Sequence, residues 1–190
     1  MRAGILVFDG VEELDFVGPW EVLSYVNKIQ GNSIDLMTVS PAAPVKAYNG
    51  LTFLPDVTFG DCPPLDILIV PGGKGRLEQM SCESTLAFIR SAYPDLEYLC
   101  SVCTGSFLLA EAGLLEGRSV TTHHGAFEEM EKYPDITLVR ERIVREGNIV
   151  SAGGVASGID LGFYLVEEVF GTKVAEAVGD GMEYQLRGNG

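Results

Sequence analysis

The sequence predicts an α/β fold, a three-layer sandwich in which a mostly parallel sheet is wrapped by helices on both faces. Three observations predict it. Short apolar runs bounded by Gly, Pro and Asp alternate with longer amphipathic stretches, as when strands and helices are laid down in turn. Asp66–Val70 is a continuous apolar run of the kind found in strands covered on both faces. A chain of 190 residues with 46% hydrophobic content also suits one globular domain with a sizeable core.

In chain order, Gly4–Phe8 reads as a buried first strand, Asp9–Gly18 as a loop carrying acids, and Pro19 as the first turn of a helix running to about Ile29. Proline suits that position because the amide it lacks has no partner there. Ser33–Val39 reads as a second strand, and Val45–Leu54, with its Asn49-Gly50 turn signal, as a small antiparallel excursion. Asp66–Val70 ends abruptly in Pro71-Gly72-Gly73. Ser84–Ala92 is expected to be helical, Glu97–Val102 a buried strand, and Thr104–Ala112 a helix closed by Gly113. Ser119–Thr121 is a short strand leading to His123-His124, followed by a helix over Ala126–Lys132. Arg142–Val144 and Asn148–Ser151 flank Glu146-Gly147, a hairpin signal. From Ser157, the spacing of Ile159, Phe163, Val166 and Phe170 predicts a long core-facing helix. No internal repeat or linker interrupts the pattern, so residues 1–190 are expected to form one domain; those after Gly179 are too glycine-rich to place.

The formal charge of −14, from 13 basic against 27 acidic residues, repels polyanions and removes the counterion-release term that nucleic-acid binding needs. Nucleic acid and anionic membrane are therefore not expected partners. The apolar run after Met1-Arg2-Ala3 is too short for a signal peptide, and charges such as Asp160, Glu167 and Glu168 interrupt the best candidates for a membrane span. A cytoplasmic protein is expected, in which the four cysteines are free thiols or reactive groups.

The most informative segment is Tyr98-Leu99-Cys100-Ser101-Val102-Cys103-Thr104-Gly105-Ser106, where a buried strand stops at Cys103 and a helix begins at once. So tight a turn brings backbone into close approach and requires small residues two before and two after it, which Ser101 and Gly105 supply. This is the geometry of a nucleophile elbow with cysteine in place of serine, at a strand's carboxyl end, where open α/β sheets place their ligands; the alternative is a small buried residue chosen for packing, against which the surrounding small residues count. The helix N-terminus favours thiolate, so Cys103 is expected to be more acidic than an exposed cysteine. Cys100-x-x-Cys103 is not a redox pair or half a zinc site: residues three apart on a strand face opposite ways, and no second pair completes a metal site. Cys100 and Cys82 are expected in the core, and Cys62 in a structural loop position.

Gly72 and Gly73 follow a strand expected beside that of Cys103, so the amides of Gly73 and Thr104 could form an oxyanion hole, or the glycines could only serve a tight turn. Asp15 is a lone acid among apolar residues in Leu14-Asp15-Phe16-Val17-Gly18-Pro19. Beside a thiolate it would hold a proton and act as general acid; as a helix cap it would be purely structural. His123, one of two imidazoles, is a candidate base or a hydrogen-bonded pocket residue.

Together Leu-Asp15-x-x-Gly-Pro, Asp61-Cys62-Pro63-Pro64-Leu65-Asp66, Pro71-Gly72-Gly73, Ser101–Ser106, Gly113-Leu114-Leu115 and Thr121-Thr122-His123 resemble the ThiJ/PfpI superfamily, and within it the isocyanide (isonitrile) hydratases. The resemblance spans Gly4 to about Phe170. It implies a flavodoxin-like, class I glutamine amidotransferase-like fold and hydration of R–N≡C to an N-substituted formamide through a thioimidate on Cys103. Asp15 would assist proton transfer and Thr104 would be a further active-site residue. It also implies a homodimer; no metal or organic cofactor is expected, since nucleophile, acid and oxyanion donors are all supplied by the protein. Thr104 stands where peptidase-like members carry His, and the short acid at Asp15 matches the hydratase branch better than the chaperone or glyoxalase-like branches. His124 stands where the hydratases are expected to carry Trp, which alters the pocket. A glyoxalase-like or deglycating enzyme and a non-enzymatic sensor or stress protein are the competing readings.

Overall fold

Strands that read as unbroken apolar runs become the interior of the sheet. In the computed structural model, which describes residues 1–185, the chain first runs β1 (Arg2–Leu6), α1 (Glu13–Gln30), β2 (Asp35–Ser40), β3 (Val45–Lys46), β4 (Thr52–Phe53) and β5 (Val57–Thr58). There follow β6 (Ile67–Val70), α2 (Arg76–Gln79), α3 (Glu83–Ala92), β7 (Tyr98–Val102), α4 (Ser106–Glu111) and β8 (Ser119–Val120). The described chain ends with α5 (Phe127–Met130), β9 (Thr137–Leu138), β10 (Ile143–Glu146), β11 (Ile149–Ala152), α6 (Ser157–Phe170) and α7 (Thr172–Gly181). The last part of the tail that the sequence leaves unplaced, 186–190, lies outside the described residues.

The seven-stranded sheet has the order β10-β11-β7-β6-β1-β2-β5. All neighbours pair parallel except β10 with β11. Every residue of β6, β7 and β11 is buried, as two-sided coverage requires. Helices α1, α6 and α7 pack together, and α2, α3 and α4 form a second group, giving the expected α/β sandwich. The excursion after β2 is the antiparallel pair β3–β4, and β8 pairs with β9 outside the main sheet.

β1 is the pivot of this topology. The chain steps from it to β2 and β5 on one side and returns to β6, β7 and β11 on the other, so a crevice opens at the carboxyl ends of β1 and β6. The segments leaving those two strands are joined by an antiparallel bridge between Val11 and Gly73.

Three differences from the sequence reading bear on the site. Helix α1 starts at Glu13, so Asp15 lies in its first turn and Pro19 lies inside it. Tertiary contacts outweigh the local proline rule there. The Glu13 carboxylate accepts from the Asn49 amide at 2.8 Å and from Asn49 Nδ2 at 2.7 Å, tying the β3–β4 hairpin to the helix start. The helix after Cys103 opens as a 3₁₀ turn over Cys103–Gly105, with α4 proper only from Ser106 to Glu111. Cys82 is not a core residue but the half-buried residue preceding α3.

Candidate functional site

Cys103 takes φ 57, a left-handed conformation that a non-glycine residue enters only at a cost of about 1–3 kcal/mol. Local bonds hold it there. Its amide donates to the Gly153 carbonyl at 2.8 Å, while its own carbonyl accepts from Thr122 Oγ1 at 2.9 Å and Ser106 Oγ at 3.3 Å. The elbow is as tight as the small residues require. A Cβ added at Gly105 would sit 2.0 Å from the Val70 carbonyl oxygen and 2.8 Å from that of Pro71. Backbone at the end of β6 cannot yield that much, so Gly105→Ala is expected to destabilise the fold by about 4 kcal/mol or more. Urea unfolding would read this, and a midpoint equal to that of the native chain would contradict so close an approach.

Asp15 is completely withdrawn from solvent, and its Oδ2 accepts from the Gly72 amide at 2.9 Å. Its Oδ1 is buried without a well-formed hydrogen bond. Burial, opposed by the Gly72 bond and reinforced by the charge of Glu12, raises the carboxyl to about 7, and the Cys103 thiol is near enough to bias it downward. At neutral pH the group is poised between acid and carboxylate. Asp15, from the first turn of α1, and Cys103, from the end of β7, are thus brought side by side.

The expected acidity of Cys103 is corrected. With 6% of its surface exposed, the thiol is pushed up to about 12, first by burial and then by the charge of Asp15. The Val155 and Thr104 amides and the Thr104 hydroxyl oppose this rise without overcoming it. A helix-end field from a short α4 behind a 3₁₀ turn is the weaker influence.

Gly72 and Gly73 lie against the elbow: a Cβ at Gly72 would come within 2.6 Å of the Thr104 amide nitrogen. The Gly73 amide donates to Thr104 Oγ1 at 3.2 Å, so it orients that hydroxyl, and the amides that reach the sulfur are those of Thr104 and Val155. Val155 escapes a reading of the sequence. It holds φ 39, a true outlier for a β-branched residue, just after Gly153-Gly154. The only available signal is that this Gly-Gly follows a strand end, as Gly72-Gly73 does.

His123 stays within its own turn. Its Nδ1 accepts from the Gly125 amide at 3.0 Å, its ring stacks on His124 at 4.3 Å between centroids, and burial followed by the His124 charge lowers its basicity. With Thr122, His124, Phe127, Gly154 and Val155 it lines a groove of about 510 Å³ beside the Gly153–Ser157 segment. Cys100 is fully buried, and burial pushes its thiol far up.

Cys82 is the thiol held below its ordinary value, chiefly by a hydrogen bond with Ser84 Oγ, 3.2 Å away, and then by Thr85. Iodoacetamide at pH 7.5 is therefore expected to label Cys82 ahead of Cys103, as read by peptide mass spectrometry. Labelling in the reverse order would show the elbow sulfur to be the more ionised. Among the described residues no group of three or more His, Cys, Asp or Glu is placed to hold a metal ion, and no helix is long and apolar enough to cross a membrane.

Comparison with known proteins bears on this site. The family described as DJ-1/PfpI matches residues 1–168. The chain is 39% identical over 186 residues to an isonitrile hydratase of Pseudomonas putida, covering 97% of this chain and 78% of that protein. It is 31% identical over 178 residues to the HTH-type transcriptional regulator CdhR of Pseudomonas aeruginosa, covering 92% of this chain but 52% of the regulator. The crystal structure of a ThiJ/PfpI family protein from Pseudomonas syringae superimposes with a TM-score of 0.89 at 32% identity, covering 100% of this chain and 77% of that one.

Proposed function

The chain belongs to the DJ-1/PfpI family, and from that premise we propose that it is a cysteine-dependent hydratase of small electrophiles, converting R–N≡C to an N-substituted formamide. The observation that carries the reading is the buried Asp15 carboxyl, fixed by the Gly72 amide, beside the Cys103 thiol. The similarity to an isonitrile hydratase points to the same chemistry.

With a value of about 7, Asp15 is available in both protonation states near neutrality. As carboxylate it takes the thiol proton while the sulfur bonds the terminal carbon of the isocyanide. As acid it returns that proton to the same carbon, leaving a thioimidate, Cys103–S–CH=N–R. The Thr104 and Val155 amides hold the sulfur while it carries charge. Water then adds across C=N, oxygen to carbon and proton to nitrogen. The tetrahedral adduct collapses as the hydroxyl proton passes to Asp15, the C–S bond breaks, and the proton is restored to sulfur. The sum is R–N≡C plus water giving R–NH–CHO, with Cys103, Asp15 and Thr104 as the catalytic residues, Gly72 and Gly73 beside them, and His123 in the groove next to the Gly153–Ser157 segment.

The test is to incubate the purified chain with an alkyl isocyanide and with methylglyoxal, following the formamide and lactate by mass spectrometry. Formamide with little lactate is expected. Lactate alone would replace the hydratase by a glyoxalase-like enzyme. Neither product would leave the sensor reading, on which the likeness to the regulator bears only through the half of that protein that this chain spans.

The active unit is proposed to be residues 1–190 as one cytoplasmic domain, in a compartment where the four thiols stay reduced. It is proposed to work as a homodimer on small molecules. Val17, Tyr48, Leu51 and Leu54 are large apolar side chains left exposed on α1 and the β3–β4 hairpin clamped to it, with Leu54 75% exposed. Light scattering is expected to give twice the chain mass, and Leu54→Lys to shift it toward the single chain; a monomeric native protein would reject the dimer.

A further inference from the structure

Three short helices follow three of the loops around Cys103, and one buried cation joins them. Arg76, 8% exposed, lies on α2 just after the Gly72–Gly75 loop. Its guanidinium stacks 4.2 Å from the ring centre of Phe107, on α4 just beyond the Cys103 elbow. It donates through Nη1 to Glu129 Oε1 at 3.0 Å and through Nη2 to Glu129 Oε2, on α5 just after the His123-His124 turn, and Nη1 also contacts Met80 Sδ at 3.2 Å. Phe107 packs in turn edge-on against Tyr133, whose hydroxyl donates to Glu111.

Stability alone does not call for this arrangement. Desolvating the buried guanidinium offsets its attraction to the half-exposed Glu129 carboxylate, so a well-packed apolar residue in its place need not cost stability. What an apolar residue cannot reproduce is direction: the planar fork grips Glu129 at two points while its face lies on Phe107, which fixes α2 relative to both α4 and α5. The loop that α2 anchors carries the Gly72 amide bonded to Asp15 and the Gly73 amide bonded to Thr104.

We propose that Arg76, with Glu129, is a positioning residue that sets the Gly72 and Gly73 amides against Asp15 and Thr104, and through them the placement of Asp15 relative to the Cys103 sulfur. This goes beyond the hydratase reading, because it concerns the thiol and its acid whatever electrophile they take.

Alkylation of Cys103 tests it without turnover, so a chain that made no formamide would still give an answer. In a Cys82→Ser background, the rate of iodoacetamide labelling at Cys103 is followed by peptide mass spectrometry from pH 5 to 10, beside urea unfolding of each variant. The groups titrating around Asp15 are Glu12 and Cys103, and those around Arg76 are Glu111, Glu129 and Tyr133. Arg76→Met weakens the Gly72 bond to Asp15. It is expected to move the lower inflection of the profile upward by about half a pH unit or more and to change the rate at pH 7 at least threefold, with Arg76→Lys intermediate. Glu129→Gln, at a half-exposed position, keeps the packing and is expected to shift the profile the same way by less. A folded Arg76→Met chain with an unmoved profile and only a lower urea midpoint would overturn the proposal. If Arg76→Met does not fold, an unmoved profile in Glu129→Gln overturns it equally.

Discussion

Cys103→Ala is expected to lower formamide formation by about 10³-fold or more while leaving the fold intact, because it removes the atom that bonds the substrate carbon. The bonds that hold the elbow go to the amide and carbonyl of Cys103, which alanine keeps, so truncation removes one sulfur without loosening the turn. The loss is expected in kcat/KM, since Cys103 is the thiol that bonds Asp15, while Cys100 is fully buried and Cys62 and Cys82 precede β6 and α3. Cys103→Ser is expected to be nearly as inactive, because a hydroxyl is a far weaker acid than a thiol in a site where burial already pushes the thiol to about 12. The measurement is formamide release beside a urea unfolding curve. An alanine variant within tenfold of the native rate would move the chemistry to another residue.

How far the sequence anticipates such a site depends on whether the cause of a feature is local. β6 and β7 are legible because strands covered on both faces must be apolar at every position, a property of single residues. The elbow is legible because close backbone approach forces small side chains at 101 and 105. The start of α1 is misread because Pro19 sends a strong local signal, whereas the bonds from Asn49 to Glu13 come from a distant hairpin. The ionisation of Cys103 is misread for the same reason: the helix behind it is visible in the sequence, but the burial and the Asp15 charge that dominate it arise from the fold. Val155 is the extreme case, since a left-handed valine contradicts its own propensity and is held by its surroundings. The two-residue strand β5 is too short to carry any alternation.

Asp15→Asn is expected to lower kcat/KM by about 10²–10⁴-fold and, at alkaline pH, to make the protein more stable. Both effects follow from one carboxyl. Its folded value of about 7 stands above the ordinary 3.8, so the native state holds this proton more tightly than the unfolded chain does. The stability it contributes is therefore complete below about pH 3.8 and is lost as pH rises through about 7, at up to roughly 1.4 kcal/mol per pH unit. Asparagine does not titrate. Its Oδ1 can still accept from the Gly72 amide, and its Nδ2 falls where Oδ1 of the acid has no well-formed bond. Native and variant melting temperatures are thus expected to converge near pH 4 and to separate up to about pH 8, the variant then higher by the equivalent of a few kcal/mol. Equal melting temperatures at pH 8 would mean that the carboxyl is not destabilised by burial. In that case its proton could not shuttle between sulfur and carbon near neutrality. The two readouts bear on the same point: an acid held against its preference lowers stability at the pH where it is available for proton transfer, and removing it should raise one quantity as it lowers the other.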